Sequence, residues 1–228
     1  MKTVIVTGAG GNLGQAVVKK FIAEGCRVIG TVTKKSNNIT EPELSYEAHA
    51  VNLTDDKETQ QFVEKVISNY HTIDVAVLTV GGFATGTIKE TTATDLLQQY
   101  HLNFETAFNA ARPIFLQMLQ QKTGTIFLIG SKPGLSSLHS NGVLAYSLSK
   151  SLLFRLAELM NEEAKGTPVC TVVVVPDTID TPQNRQAMPN ADIAGWVTPE
   201  TIATAIYNYT TDDAAIIKEP VIKVYSNP

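Results

Sequence analysis

Short apolar runs alternate along the chain with longer stretches in which apolar residues recur every three or four positions. The runs predict strands at 2–7, 27–32, 48–52, 74–80, 124–130, 169–175 and 220–225, with helices between them. Leu13, Val17, Phe21 and Ile22 make one helical stripe, and Phe62, Val63, Val66, Ile67 and Tyr70 make another, both read as core. Val172 to Val175 is apolar without alternation, as in a strand covered on both faces, and Pro176 stops it. Strand and helix patterns follow one another over 1–228 without a linker-like break. That order predicts one α/β domain: a doubly wound, mostly parallel seven-stranded sheet with helices on both faces. Ligands of such sheets lie beyond the C-terminal ends of the strands.

Composition narrows the class of partner. The chain has 228 residues, 43% of them apolar, and a formal charge of −4. No Lys/Arg-rich run suggests nucleic acid or an anionic membrane, which leaves a small molecule as the expected partner. Cys26 and Cys170 are far apart and each borders a strand-like run, which reads as buried thiols and not as a disulfide or a metal site. Met1-Lys2-Thr3 leads directly into the first strand, and no apolar run reaches membrane-spanning length, so a cytoplasmic location is expected.

Two motifs carry chemistry. Val4-Ile5-Val6 leads into Thr7-Gly8-Ala9-Gly10-Gly11-Asn12-Leu13-Gly14 and then a helical pattern, a strand, glycine turn and helix. Glycines let backbone approach a pyrophosphate, and the helix start offers it unpaired N–H groups and the positive dipole end. The second motif is Tyr146-Ser-Leu-Ser-Lys150, a phenol and an ammonium four positions apart on a helical segment and therefore on one face. A nearby ammonium favours the phenolate, which would bring the phenol's proton exchange nearer neutral pH.

At the predicted strand ends stand Gly8, Thr33 with Lys34, Asn52 with Leu53, Val80-Gly81-Gly82, Ser131 and Pro176. With Tyr146 and Lys150 after strand five, this ordering resembles the short-chain dehydrogenase/reductase family, a Rossmann-type NAD(P)-binding fold, over essentially the whole chain. Gly8, Gly11, Asn12, Leu13 and Gly14 match its glycine motif, and Pro176-x-x-Ile179-x-Thr181 resembles its signature after strand six. The resemblance implies that Tyr146 is the general acid for carbonyl reduction and that Lys150 lowers its pKa and holds the nicotinamide ribose. It further implies that Ser131 orients the substrate oxygen and that Asn103 positions a water linking Lys150 to solvent. Independently of any family, hydride delivery to a C=X bond leaves negative charge that a placed O–H donor must meet. Ser131 has an alternative reading as the cap of the turn after strand five, and Asn103 as a backbone-bonding residue within a helix.

The chain departs from the family's pattern in three places. Asn12 replaces the middle glycine, a change that asparagine's access to left-handed backbone makes tolerable. Thr79-Val80-Gly81-Gly82 replaces Asn-Asn-Ala-Gly. Ser131 precedes Tyr146 by fifteen positions, about two more than usual, so the intervening loop must bulge. The end of strand two, with Thr33, Lys34 and Lys35, offers hydroxyl and ammonium groups and no acid. Those groups suit a 2′-phosphate, which makes NADPH the expected cofactor and NADH a possible one.

Val80-Gly81-Gly82-Phe83 and the stretch from Asp180 to Asp192, with Trp196 beyond, further resemble the dihydropteridine reductase subgroup, whose substrate is a flat heterocycle. Phe83 and Trp196 would then be apolar or stacking walls. A fuller set of Asn103, Ser131, Tyr146 and Lys150 than that subgroup carries points to a broader or different substrate. From another class, a nucleotide-sensing protein that keeps the fold without turnover is the alternative, although the chain retains both Tyr146 and Lys150. The family's habit implies a homodimer or homotetramer through helices at about 91–120 and 144–165. Phe104, Phe108, Phe115, Leu116 and Leu119 could supply its apolar face or be core.

Overall fold

The computed structural model describes residues 1–33, 45–211 and 220–226. Seven strands form one sheet: β1 (Thr3–Thr7), β2 (Arg27–Val32), β3 (Tyr46–Ala50), β4 (Val75–Leu78), β5 (Thr125–Ile129), β6 (Cys170–Pro176) and β7 (Val221–Val224). Their order is β3-β2-β1-β4-β5-β6-β7, and every neighbouring pair is parallel. The sequence predicts each strand to within about two residues, and the sheet is all-parallel where a mostly parallel one was expected. Strand order reverses between β1 and β4, and this reversal opens a crevice at their C-terminal ends.

Helices cover both faces: α1 (Asn12–Ala23), α2 (Asp56–Tyr70), α3 (Ala93–Tyr100), α4 (Thr106–Gln121), α5 (Lys132–Leu135), α6 (Leu144–Glu163), α7 (Pro182–Ala187) and α8 (Pro199–Asn208). One core layer packs Ile5, Ile29, Leu78 and Ile126 against Val63 of α2, Ile114 of α4 and Leu153 of α6. The other packs Val4, Val28, Val77 and Val172 against Val17 and Phe21 of α1 and Ile202 and Ile206 of α8. On β1, β2 and β4 the two layers take adjacent residues, Ile5 and Val4, Ile29 and Val28, Leu78 and Val77, as the period-2 pleat requires.

Local chemistry sets the helix boundaries that matter for the site. Asp55 caps α2 by accepting from the Glu58 N–H at 3.0 Å, and His71 ends it in a left-handed conformation (φ 68°). Thr92 and Asp95 form a reciprocal capping box at the start of α3. The helical segment expected at 91–120 is not one regular helix, because a π-helical turn, His101–Glu105, joins α3 to α4. Its apolar face divides: Phe115 is buried, Phe104 and Leu119 pack at the edge of the core, and Phe108 and Leu116 are exposed. Among the described residues, no helix is long and apolar enough to cross a membrane.

Candidate active site

At the end of β1 the backbone turns through Gly8 (φ 65°), where left-handed geometry favours glycine. Gly11 N–H closes the turn on the Gly8 carbonyl at 2.9 Å, and Gly11 precedes α1 without any side-chain cap. A Cβ on Gly14 would lie 2.1 Å from the Gly8 oxygen, so α1 sits too close to the turn for any side chain there. Asn12 does not use left-handed backbone: the positive-φ non-glycine residues described are His71 and Lys122. It is instead the first residue of α1, and its Nδ2 donates to Gln183 Oε1 of α7 at 2.8 Å. Leu13 is a core residue beneath the turn.

A cavity of about 460 Å³ opens beside this turn, lined by Gly8, Thr31, Val32, Thr33, Val51, Asn52, Leu53, Thr54, Val80, Leu102 and Thr106. Five of the expected residues, Gly8, Thr33, Asn52, Leu53 and Val80, thus meet in one place, and among the described residues the lining carries no carboxylate. Thr31 Oγ1 accepts from the Gly8 N–H at 3.3 Å. Asn52 Oδ1 accepts from Thr54 N–H and Oγ1, and Asn109 Nδ2 holds the Leu53 carbonyl at 2.9 Å. Leu102 and Thr106 escape sequence reasoning because a π turn shifts the face they present, and no motif marks such a turn. Lys34 lies outside the described residues.

Tyr146 stands in the first turn of α6 and Lys150 one turn on. Lys150 is 5% exposed, and its Nζ donates to the Ile129 carbonyl at 2.7 Å. Burial lowers its pKa to about 8. Burial raises the Tyr146 phenol above its ordinary value, and the neighbouring Ser131 hydroxyl opposes that rise. Desolvation is the larger of these two influences on the phenol. The Phe83 ring meets the Tyr146 ring edge-on, with centroids 5.0 Å apart, and is itself 64% exposed.

Ser131 follows β5 and caps α5, its Oγ accepting from the Gly134 N–H at 3.1 Å. The capping alternative is therefore realised, and the hydroxyl proton remains for another acceptor. The longer segment before Tyr146 folds into α5 and a 3₁₀ turn, Ser137–His139. It is tied back by Gly86 N–H to the Gly142 carbonyl (2.7 Å) and Leu144 N–H to the Gly86 carbonyl (3.0 Å).

Asn103 lies on the π turn and is fully buried. Its Oδ1 accepts from the Gly82 N–H at 2.9 Å, and its Nδ2 reaches the Gly82 carbonyl at 3.0 Å, Gln99 Oε1 at 2.9 Å and Ser149 Oγ at 3.1 Å. The backbone it bonds is that of the loop after β4 and not that of its own helix. A Cβ on Gly81 would stand 2.7 Å from Asn103 Oδ1 and 3.0 Å from Lys150 Nζ, so both polar groups close over this glycine.

After β6, Pro176 leads to Asp177, which takes Lys132 Nζ at 2.5 Å. Ile179 bridges to Val197 and packs on the α1 face of the core. Thr181 caps α7 through the Asn184 N–H at 3.1 Å. Arg185 makes two bonds to Asp180, at 2.6 and 2.7 Å. Trp196 is half-buried after the turn Ile193–Gly195. Among the described residues, the aromatic ring laid against Tyr146 is that of Phe83 and not Trp196.

A parallel seven-stranded fold with a glycine turn, a crevice at its switch point and Ser, Tyr and Lys gathered after β5 defines a nucleotide-binding oxidoreductase scaffold. Residues 2–192 match the model of the short chain dehydrogenase family, and the chain belongs to that family. It is 24% identical to 3-oxoacyl-[acyl-carrier-protein] reductase FabG of Thermotoga maritima, covering 98% of this chain and 96% of the relative. Dihydropteridine reductase of Dictyostelium discoideum is also 24% identical, covering 92% of this chain and 88% of that one. An NADP-bound structure of ElxO superposes with a TM-score of 0.89 at 20% identity, covering 98% of this chain and 96% of that chain. The protein is an NAD(P)-dependent oxidoreductase of the short-chain family.

Proposed function

We propose that the protein uses NADPH to reduce a small carbonyl or imine-like compound, with Tyr146 as the general acid. The observation that carries this reading is the Ser131 hydroxyl beside the Tyr146 phenol, with Lys150 one turn along the same helix and its Nζ against Gly81, which follows the cavity-lining Val80. The residues fit a dinucleotide. Gly14 lets α1 start directly against the turn at Gly8, and Gly11 leaves the first N–H groups of α1 without a side-chain cap. Gly8, Thr33, Asn52, Leu53 and Val80 would hold its adenosine end, and Lys150, Pro176, Ile179 and Thr181 would flank its nicotinamide end. The cofactor, when bound, supplies the hydride.

The chain's own part is to hold and move a proton. Burial keeps the Tyr146 phenol protonated through neutral pH, the form that donates to an oxygen gaining negative charge. The Ser131 hydroxyl, with its oxygen engaged by Gly134 N–H, has its proton available to orient the same oxygen. Lys150, near its pKa at mildly alkaline pH, can carry positive charge at the site or release a proton there. Among the described residues the cavity lining has no carboxylate to take the ribose hydroxyls of NADH, and Thr33 offers a hydroxyl there, which supports NADPH.

The exposed Phe83 ring supports a second reading of the substrate, a flat heterocycle such as quinonoid dihydropterin. Exposed Leu97, Phe108, Leu116, Leu148, Leu152 and Leu159 on α3, α4 and α6 support a homodimer or homotetramer through those helices.

The test is steady-state oxidation of NADPH and NADH with quinonoid dihydropterin, quinones, diketones and aldehydes, using wild type and Tyr146→Phe. Turnover that prefers NADPH and is lost in Tyr146→Phe, with cofactor affinity kept, supports the proposal. Tight cofactor binding with no turnover of any compound would leave a nucleotide sensor instead.

A further inference from the structure

We propose that Gln99 and Ser149 are positioning residues: they fix the orientation of the Asn103 amide, and through it hold the Gly81–Gly82 backbone against Lys150. The inference rests on the oxidoreductase reading for its effect on rate and on geometry alone for its effect on the loop.

The Asn103 side chain joins three segments of the site: the loop after β4, α3 and α6. Its Oδ1 and Nδ2 pair with the N–H and carbonyl of Gly82, as a neighbouring strand would, beyond the point where β4 stops at Leu78. An amide has two chemically different ends, and a flip would set its oxygen against the Gly82 carbonyl and its N–H₂ against the Gly82 N–H. Gln99 and Ser149 remove that ambiguity. Gln99 Oε1 accepts from Nδ2 at 2.9 Å, and Ser149 Oγ lies 3.1 Å from the same nitrogen. Ser149 spends its own proton on the Tyr146 carbonyl at 2.8 Å, so toward Asn103 it is an acceptor.

The bonds therefore run in one direction, from Asn103 N–H through the Ser149 hydroxyl to the Tyr146 backbone. Gln99, Asn103 and Ser149 are 7%, 0% and 3% exposed, where an unsatisfied polar group is costly and bonds in series reinforce each other. The amide they orient lies over Gly81 on the face that Lys150 Nζ also approaches: a Cβ there would stand 2.7 Å from Asn103 Oδ1 and 3.0 Å from Lys150 Nζ. The π turn brings Gln99 and Asn103 to bear on the same acceptor-rich pocket, and in the sequence they are only two polar residues of a helix.

The experiment compares wild type with Gln99→Met, Ser149→Ala and Ser149→Thr, which keeps a hydroxyl. Exchange of the Gly82 N–H is followed by NMR, together with thermal stability and, on any compound the wild type turns over, kcat and KM. Gln99→Met and Ser149→Ala should speed Gly82 exchange about tenfold and lower kcat about tenfold, with substrate KM within about twofold, and Ser149→Thr should restore both. Gly82 exchange equal to wild type in both variants would overturn the proposal. So would a loss of melting temperature that accounts for the exchange at all amides alike. If the wild type turns over nothing, the oxidoreductase reading fails, and Gly82 exchange still decides this one.

Discussion

Lys150 donates to the Ile129 carbonyl at 2.7 Å, so an ammonium 5% exposed is held by a backbone oxygen at the end of β5. Burial brings its pKa down to about 8 from 10.5. Between those two values the unfolded chain binds more protons than the folded one, so this group makes stability rise with pH across that window and costs most below it. Lys150→Met removes the dependence. Its stability relative to wild type should be highest at pH 7 and fall by on the order of 2–3 kcal/mol by pH 10.5. Urea melts at intervals over that range check this, and parallel curves for the two proteins would refute it.

Thr33 lines the cavity where β2 ends, and among the described residues no carboxylate does. Thr33→Asp puts an anion where a 2′-phosphate would lie and an acceptor where ribose hydroxyls would. The ratio of kcat/KM for NADPH to that for NADH should drop at least about tenfold, since like-charge repulsion in a partly enclosed site is worth more than 1.4 kcal/mol. An unchanged ratio would locate the adenosine end elsewhere.

Two glycines should answer alanine substitution in opposite ways. Gly14→Ala would set a Cβ 2.1 Å from a backbone oxygen, forcing α1 off the glycine turn and costing on the order of 3 kcal/mol or more despite alanine's better helix propensity. A Cβ on Gly195 meets nothing within 4 Å, so Gly195→Ala should stay within about 0.5 kcal/mol of wild type. Chemical denaturation of both measures the contrast, and NADPH affinity should fall only in the first.

Phe83 packs on Tyr146 while leaving much of its ring in solvent. Phe83→Ala should raise KM for flat aromatic substrates roughly tenfold, leave small aliphatic carbonyls within about threefold, and leave NADPH affinity unaltered. Equal effects on both substrate types would make Phe83 a support for Tyr146 rather than a wall for substrate.

The sheet was legible because its signal is local. Val172 to Val175 and the other runs read as strands wherever they are placed, and the stripes of α1 and α2 mark their buried faces directly. The glycine turn was legible too, although the reason for Asn12 was not: backbone at that position depends on where α1 starts, which Gly11 decides. The Ser131 cap could be named as an alternative from its place after a strand. Tyr146 and Lys150 were legible as a pair, but their proton affinities depend on desolvation, which comes from α5 and the loop after β4 closing around them. Leu102 and Thr106 were illegible because their places depend on a π turn that no motif marks. Gln99 and Ser149 were illegible because they sit on two regular helices, and only the packing of α3 against α6 brings both to the Asn103 amide.

The bridge between Gly86 and Val143 joins the segment that carries Phe83 to the start of the helix that carries Tyr146. The proposed wall and the proposed acid therefore share one backbone tie. On that proposal, a substrate bulky enough to displace Phe83 would also strain the start of the helix that carries Tyr146, and oversized compounds should show slow turnover as well as weak binding. Widening the range of accepted compounds would then require changes on both sides of that tie together.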